Sequence, residues 1–357
     1  MTRLDRYIIF RFIGTFLFII VLLMTISVVF DFSEKIDDFM KSKPTVKQVL
    51  LDYYVNFVLY YGNLFSPLII FIALIFFTSR MAQRTEIVAI LAGGVSFNRL
   101  LRPFFIAASI LAVTTLILNH FIIPEANKVR VQFEESYYKK RNVNRDTDIH
   151  MEVSPGRIVY FYNVRIEKGT GTRFSLEEWT GGELKSKILA ARVEQDLVSK
   201  EWHLYDYIIR IYGDNEEVVS GSKLDTILDF NITELGKNVQ FVSSMNYFEL
   251  EEFLAKERLT GTDKMPQYMI EKHQRTSYPV ATYVLTLIGV SISSRKTRGG
   301  IGLQIATGFL VVLLYIFAMK VTTVSATNAG LDPLVATWLP NIVFGVVAVY
   351  LYRKAPK

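Results

Sequence analysis

The chain of 357 residues contains no cysteine, and only 21% of its residues are charged. The absence of cysteine excludes a disulfide framework, a thiolate metal site and a cysteine nucleophile. Soluble chains usually carry about 25% charged residues, so the low charge argues against a soluble two-domain enzyme. The few histidines are scattered, and we predict no catalytic residue, no metal site and no cofactor. They are His120, His150, His203 and His273.

Three common catalytic or nucleotide-binding patterns are also missing. The chain has no G-x-x-x-x-G-K-[ST], and therefore cannot bind a nucleotide phosphate through a P-loop. It has neither H-E-x-x-H nor G-x-S-x-G, the patterns of zinc peptidases and serine hydrolases. These absences argue against an enzyme of any of the three classes.

The net charge of +6 is unevenly distributed. Residues 124–276 hold 22 basic and 26 acidic residues, a net charge of 22 − 26 = −4. The rest of the chain holds 18 basic and 8 acidic residues, a net charge of +10. Because the basic excess lies in the apolar part of the chain, it indicates a membrane protein rather than a nucleic-acid-binding protein.

Six uncharged runs are long enough to cross a membrane, which takes about 20 apolar residues per helix. Soluble cores rarely contain six such runs, so buried core helices are a poor alternative. The first run is too long for a signal peptide and predicts an uncleaved anchor. The runs are Phe12–Phe30, Tyr53–Ser79, Pro103–Pro124, Thr276–Ser294, Gly299–Met319 and Pro333–Tyr352.

The short segments between the runs predict the orientation. The two termini and the connections on their side hold thirteen basic residues and two acidic residues. The loop 31–52 on the other side holds four basic residues and five acidic ones. Since basic residues stay in the cytoplasm, both termini are expected to be cytoplasmic and the large insert is expected to lie outside.

The insert 124–276 has the texture of a β-rich domain. Arg157–Glu167 and Glu201–Tyr212 are rich in β-branched and aromatic residues and predict strands. Thr180–Glu183 and Gly213–Asn215 predict turns. Several short strands with frequent turns favour a sandwich, jelly roll or barrel.

Alternation along the strands predicts an apolar inner face for this domain. Tyr205, Tyr207, Ile209 and Ile211 share a face by period-two spacing, and Ile158, Tyr160 and Tyr162 are their expected partners. Two helical segments flank the strands. They are a polar helix over Pro124–Arg145 and a helix over Phe248–Glu257.

The segment Ser79–Pro103 predicts a short amphipathic helix between the second and third spans. Thr85 is a candidate N-cap, Glu86 suits the positive helix end, and Gly93 supplies a stop. Such a helix docks into a groove on a cytoplasmic partner, or it only contacts lipid. Its short apolar face consists of Ile87, Ile90 and Leu91.

A few polar residues at the outer ends of spans are candidates for function. Lys320 either extends its amine to the headgroups or faces a cavity and pairs with an anion. Lys35 and Lys41 are expected at the same membrane level and would suit a lipid phosphate. Asp31 is close enough to neutralise them. His120, in the third run, is a functional candidate or a neutral interfacial residue bonded to backbone.

The chain resembles the lipopolysaccharide-export permeases of the LptF/LptG type over essentially its whole length. Thr85–Gly94 resembles the coupling helix of that family, with its acidic residue and its Gly ending. Tyr268–Ser294 is similar to the entry into the fourth span, where basic Arg275 precedes Pro279 and a Leu-Ile-Gly step. Lys187–Tyr212 is similar to the repeated β-unit of the family's jelly roll.

The resemblance implies an α+β membrane protein with six transmembrane helices, arranged three and three around an inserted periplasmic β-jelly-roll-like domain. The expected domains are 1–123 with a coupling helix at about 80–94, then 124–276, then 277–357. The family places such a chain in the bacterial inner membrane as a multi-pass transport subunit, not an enzyme. The domain is expected to offer an apolar interior for acyl chains.

The resemblance also implies partners and site residues. A second LptF/LptG-type permease, a dimeric cytoplasmic ABC ATPase, a bitopic periplasmic jelly-roll protein and a soluble periplasmic bridge are expected, with lipopolysaccharide as substrate and no nucleic acid. The missing P-loop agrees with an ATPase in a separate chain. Asp31 departs from the family, which often has a basic residue there.

Three sets of site residues are implied. For ATPase coupling they are Arg84, Thr85, Glu86, Ile87, Ile90, Leu91 and Gly93. For the lipid headgroup they are Lys35, Lys41 and Lys320, and for the β-groove they are Tyr160, Tyr205, Tyr207, Ile209 and Ile211.

Other classes remain as alternatives. A membrane subunit of another ABC-type lipoprotein-release or force-transmitting complex usually has four spans, with its large domain after the first. A secondary transporter or intramembrane enzyme is disfavoured because the spans hold almost no carboxylates. A scaffold for a periplasmic β-module does not need six spans.

Overall fold

The structure, a computed structural model, describes residues 2–137, 147–165, 169–196, 199–213, 216–228, 230–232, 242–260, 264–295 and 300–355. The chain divides into two compact units. The helical unit comprises Met1–Tyr137, Ser243–Tyr247 and Pro266–Lys357. The sheet unit comprises Tyr138–Val242 and Phe248–Met265.

Ten α-helices lie in the described part of the chain, and all but α7 belong mainly to the helical unit. Short π-helical segments at Gln48–Tyr54 and Leu118–Ile122 precede α2 and α6. The helices are α1 Arg3–Ser42, α2 Val55–Leu64, α3 Ser66–Gln83, α4 Glu86–Ala92, α5 Phe97–Ile117, α6 Ile123–Tyr137, α7 Tyr247–Thr260, α8 Met265–Ser293, α9 Gly300–Asn328 and α10 Pro333–Arg353.

Six helical stretches are long and apolar enough to cross a membrane, and each overlaps one of the uncharged runs. They are α1, α3, the continuous stretch Phe97–Tyr137, α8, α9 and α10. The most apolar windows of α3 and α8 are 72% and 61% buried, whereas those of α1 and α9 are 17% and 22% buried. Helices α3 and α8 are therefore central, and α1 and α9 lie at the periphery. With the sheet inserted between helices, the predicted α+β membrane fold is confirmed.

The ends of the apolar runs differ from the ends of the helices. Helix α1 continues twelve residues beyond Phe30, so part of the predicted loop 31–52 is helical. The second run is divided at Phe65, just before Pro67 in the first turn of α3. Proline has no backbone N–H to donate, and it is tolerated at this position because a first-turn N–H has no partner within the helix.

Close contact between α3 and its neighbours depends on two glycines. A Cβ atom added at Gly308 in α9 would lie 1.9 Å from Ile75, and one added at Gly289 in α8 would lie 2.6 Å from Leu74. Both distances are far below van der Waals contact. A side chain at either position would require Ile75 or Leu74 to change its rotamer, or the helices to move apart.

The sheet unit contains one antiparallel sheet whose six strands pair in sequence order. Gly181 and Gly182, at positive φ, form the predicted turn between the third and fourth strands. Of the other predicted turn, Asp214 and Asn215 lie outside the described residues. The described strands show no crossover between sheets, so this part of the domain is a meander. The strands are β1 Thr147–Ser154, β2 Arg157–Arg165, β3 Thr170–Thr180, β4 Glu183–Gln195, β5 Trp202–Ile211 and β6 Glu217–Thr226.

An aromatic cluster fills one face of the sheet. Phe161, Phe174 and Trp202 are essentially inaccessible to solvent, and Phe230 after β6 covers them. The indole of Trp202 stacks on Phe174 and donates a hydrogen bond to the carbonyl of Phe230 at 3.3 Å. The core is therefore closed where Trp202 lies.

Candidate functional site

Helix α4 coincides with the predicted coupling helix but begins differently. Thr85 precedes it in the left-handed conformation, with φ 61°, and no side chain caps the helix. The Thr85 hydroxyl instead donates to the carbonyl of Arg84 at 2.6 Å. The prediction of Thr85 as a capping side chain is therefore wrong. At the other end, Gly93 follows the helix and Gly94 adopts φ 84°, as a helix stop requires.

The apolar face of α4 packs on its own chain. Ile87 is 1% exposed and lies in a core cluster with Ile8 and Phe12. Ile90 and Leu91 are half-buried against the same cluster. These three residues fix the helix to the bundle, and Ile87 is fully buried there. The outward surface consists of Arg84, Thr85, Val88, Ala89, Ala92 and Gly93, all exposed.

Glu86 lies at the edge of this outward surface and is held on both sides. The Tyr7 hydroxyl of α1 donates to its carboxylate at 3.2 Å, and a guanidinium nitrogen of Arg84 lies 3.9 Å away. The Glu86 side chain is 30% exposed. Its carboxylate is therefore oriented by its own chain and remains accessible from outside.

Lys35 does not present a free amine. It forms an ion pair with Asp31 and also hydrogen-bonds the hydroxyl of Tyr53, which itself donates to Asp31 at 2.9 Å. All three side chains are largely buried. The headgroup contact at Lys35 stays a prediction, in which a phosphate would compete with Asp31 for the amine.

Lys41 and Lys320 are both exposed, on α1 and α9 respectively. Neither amine has an ion-pair or hydrogen-bond partner among the described residues. Lys320 lies eight residues before the end of α9 at Asn328, about 12 Å along the helix axis. It is therefore well inside the helix. His120 bonds the carbonyl of Leu116 at 2.9 Å, in agreement with the backbone-bonded interpretation.

The predicted inner face of β5 is only partly correct. Leu204 and Tyr207 both contact the aromatic core although they are three residues apart, so the alternation shifts between them, where Asp206 adopts φ 51°. Tyr205 therefore lies on the opposite face, where Arg192 stacks over its ring at 5.5 Å.

Beyond Tyr207, Ile209 and Ile211 lie on the same face of β5 as the aromatic core, toward a solvent-exposed end of the sheet. Ile209 pairs with Ile188 on one side and Val219 on the other, and Ile188 packs against the core. Ile211 is 45% exposed and Val219 is 50% exposed. Tyr207, Ile209 and Ile211 thus form an apolar strip that leads from the closed core to solvent.

Tyr160 is placed on the other face. Its neighbours Val159 and Phe161 are fully buried in the core, so alternation directs Tyr160 away from it. Its ring contacts that of His150, with centroids 4.5 Å apart and planes tilted by 39°. The expectation that Tyr160 faces the groove is wrong, because the core residues on either side of it are Val159 and Phe161.

A chain with six long apolar helices in its described part, and a sheet inserted between them in sequence, can be compared with known families. The family model of the lipopolysaccharide export system permease LptF/LptG matches residues 6–354. The chain belongs to this family. A comparison with individual curated proteins gave no match. The family is one of transport permeases, and no cluster of metal-binding side chains occurs in the described ranges of this member.

This LptF/LptG permease also has a polar network that its sequence did not predict. Asn63 donates to Asn119, and Asn119 donates to the backbone carbonyl of Arg275 at 3.2 Å. The Arg275 guanidinium donates to the carbonyl of Met245 at 2.8 Å and lies 3.4 Å from Glu271. The network lines a cavity of about 80 Å³. The available signal was an amide within each of two otherwise apolar runs, a typical contact between spans.

Proposed function

We propose that this permease is the membrane subunit of an ATP-driven transporter that extracts lipopolysaccharide from the inner membrane and passes it to a periplasmic β-jelly-roll bridge. The observation that carries the proposal is the match of the lipopolysaccharide export permease family to residues 6–354. The chain supplies the transport route, and a dimeric ABC ATPase in the cytoplasm supplies the energy.

The ATPase docks on the outward surface of α4. That surface combines small residues with exposed Val88 and the oriented carboxylate of Glu86. A basic side chain on the ATPase would pair with Glu86, and a groove would accept Val88. Ile87, Ile90 and Leu91 contribute by holding α4 against the bundle, and Arg84, Thr85 and Gly93 lie at its exposed ends.

Lys41 and Lys320 contact the lipid phosphate. They lie on α1 and α9, the two spans with the least burial within this chain. A cavity shared with a second permease subunit would be lined by such helices, because they have few partners of their own. An exposed ammonium group two turns inside α9 is costly in lipid and is stabilised by a phosphate.

Acyl chains follow the strip of Tyr207, Ile209 and Ile211 on the core face of the sheet. The strip begins at the aromatic core and ends at exposed apolar side chains, so a chain entering it would stay out of water. Strands β1 and β6 are the edges of the described sheet, and an unpaired edge can accept a strand of the next domain in line. A bitopic jelly-roll protein and a soluble bridge are the proposed successors.

This assignment places both termini in the cytoplasm and the sheet unit in the periplasm. The basic termini and the acidic insert support that orientation. The proposed domains are 1–123, 124–276 and 277–357. Extraction needs coupled ATP hydrolysis, because removing a twelve-carbon acyl chain from the bilayer costs about 10 kcal/mol at about 0.8 kcal/mol per CH₂.

The test is purification in mild detergent followed by reconstitution. An ABC ATPase and a second permease are expected to co-purify, and the complex in vesicles should release lipopolysaccharide to a soluble jelly-roll acceptor when ATP is added. A non-hydrolysable ATP analogue is the control. Failure to recover an ATPase, or release that is independent of ATP, would contradict the proposal.

A further inference from the structure

The first turn of α1 carries an ion pair to α5. The carboxylate of Asp5 accepts two hydrogen bonds from Arg99, at 2.7 Å and 2.8 Å. The Asp5 side chain is 7% exposed and that of Arg99 is 31% exposed. Asp5 also accepts from the backbone N–H of Thr2 at 2.8 Å, which fixes its rotamer at the helix start.

A second contact joins the same turn of α1 to the start of α4. Tyr7 donates to Glu86 at 3.2 Å, and its ring lies 6.4 Å from that of Phe77. Glu86 is the first residue of α4, and Arg99 lies just beyond the turn that follows α4. Asp5 and Tyr7 therefore hold the coupling helix region from both of its ends.

Apolar packing fills the space between these polar contacts. Ile8 and Phe12 of α1 are 0% exposed and share a core cluster with Ile87 of α4. Leu100 and Phe104 of α5 belong to the same cluster. The start of α1, α4 and α5 thus share one packed cluster.

The Asp5–Arg99 pair is the strongest of these contacts. Two parallel N–H···O bonds to a largely buried carboxylate define both distance and angle, unlike a single exposed ion pair. Removing either partner leaves a poorly solvated charge without its counterion. Arg99 lies in the first turn of α5, so a displacement that carried α4 and the start of α5 together, without α1, would have to break this pair.

We propose that Asp5 and Arg99 are positioning residues that make the start of α1 move together with α4 and the start of α5, so that displacement of the coupling helix reaches the membrane-spanning part of α1. The inference rests on the proposed docking of an ATPase on α4. The most apolar window of α1 is only 17% buried, although the start of the helix packs in the core cluster. The Asp5–Arg99 ion pair joins this start to α5, beside the Tyr7–Glu86 hydrogen bond to α4.

The test uses the reconstituted complex and measures ATP hydrolysis and lipopolysaccharide release separately. Asp5→Asn keeps an oxygen for Thr2 but removes the charge. We expect ATPase association and hydrolysis to stay within about twofold of wild type, while release per ATP falls about tenfold. The exchanged pair Asp5→Arg with Arg99→Asp should recover most of the release per ATP. Glu183→Gln, which removes an exposed ion pair from the β3–β4 turn, is the matched control.

Unchanged release per ATP in Asp5→Asn would overturn the proposal. So would a fall in release that only follows lost protein abundance, since that indicates a folding role. If Asp5→Asn does not accumulate, Tyr7→Phe removes one hydroxyl and should lower release per ATP about twofold to threefold at normal abundance; no change would again overturn it. If the wild-type chain neither binds nor stimulates an ATPase, the proposed function fails instead.

Discussion

Tyr205 and Tyr207 lie two residues apart on β5 and point to opposite faces of the sheet. The alternation reverses between them, where Asp206 adopts φ 51°. Tyr207 contacts the aromatic core, whereas Tyr205 lies against Arg192 on the other face. The two faces of one strand therefore offer a direct way to separate transport from folding.

Ile209→Asp should reduce lipopolysaccharide export at normal protein abundance. A carboxylate on the core strip would meet acyl chains and lose its hydration, which costs several kcal/mol. Tyr205→Asp, on the opposite face of the same strand, is the control and should export normally. Outer-membrane lipopolysaccharide and protein abundance are measured together. Low abundance of the Ile209→Asp protein would show that Ile209 is only a packing residue. Unchanged export would show that Ile209 lies outside the transport route.

Glu86→Lys should weaken ATPase association and export while membrane insertion stays normal. The change replaces the proposed partner of a basic residue with a like charge. Glu183→Lys makes the same change at an exposed position in the β3–β4 turn and should have no effect. Co-purified ATPase per permease is the readout. Wild-type complex yield in Glu86→Lys would refute docking at this carboxylate.

Ile87→Ala and Val88→Ala should separate packing from docking in α4. Ile87 is 1% exposed, and its truncation should lower the free energy of unfolding by about 2–4 kcal/mol. Val88 is 54% exposed, and its truncation should change stability by less than about 0.5 kcal/mol. Val88→Ala should instead weaken ATPase association. Thermal unfolding in detergent measures the first effect and co-purification the second, and equal instability of both variants would contradict the assigned faces.

A photo-crosslinking residue at position 320 should capture lipopolysaccharide in membranes. Position 347, on exposed α10, is the control and should label far less. The ammonium group of Lys320 would attract the lipid phosphate, whereas the apolar surface at position 347 only contacts lipid chains. Equal labelling at both positions would favour a Lys320 that extends to the headgroups of any lipid.

The stability of the sheet should fall in acid because of Glu177. The hydrogen bond from Lys187, 2.7 Å away, lowers the pKa of this carboxyl below its ordinary value. Its stabilising contribution is therefore complete above the ordinary carboxyl range and is lost as pH falls through the lowered pKa. The effect should be less than about 1 kcal/mol, since the pair is partly exposed. Hydrogen exchange of β3 and β4 amides in the full-length protein would show it, and Glu177→Gln should lack this acid dependence.

The membrane spans and the inserted sheet could be predicted because hydropathy and alternation are local properties of the sequence. The contacts that define the candidate site were harder to predict from the sequence. Asp31 and Lys35 are four residues apart on one helix face, so their pairing could be read from spacing. Arg99, in contrast, contacts Asp5 at a sequence separation of 94 residues, and only the packing of α1 on α5 brings them together.

The faces of β5 show a different limit. A residue with positive φ inside a strand cannot be recognised from composition when it is not glycine, because aspartate adopts ordinary strand angles in most contexts. Asp206 is such a residue, and the predicted alternation therefore placed Tyr205 on the wrong face of the sheet. Likewise, the apolar face of α4 was found by its spacing, but the sequence could not distinguish packing on the same chain from packing on a partner.

Helix α1 contains 40 residues and is therefore about 60 Å long, roughly twice the thickness of the hydrocarbon layer. One end is fixed to α4 and α5, and toward the other end Lys35 joins it to Tyr53 in the π-helical segment. When a helix of that length tilts as one body, a small rotation about one end gives a large displacement of the other end. A tilt of about 5° at one end displaces the other by about 5 Å, close to the pitch of one helical turn. Because of its length, α1 can convert a slight movement on one side of the membrane into a larger displacement on the other side.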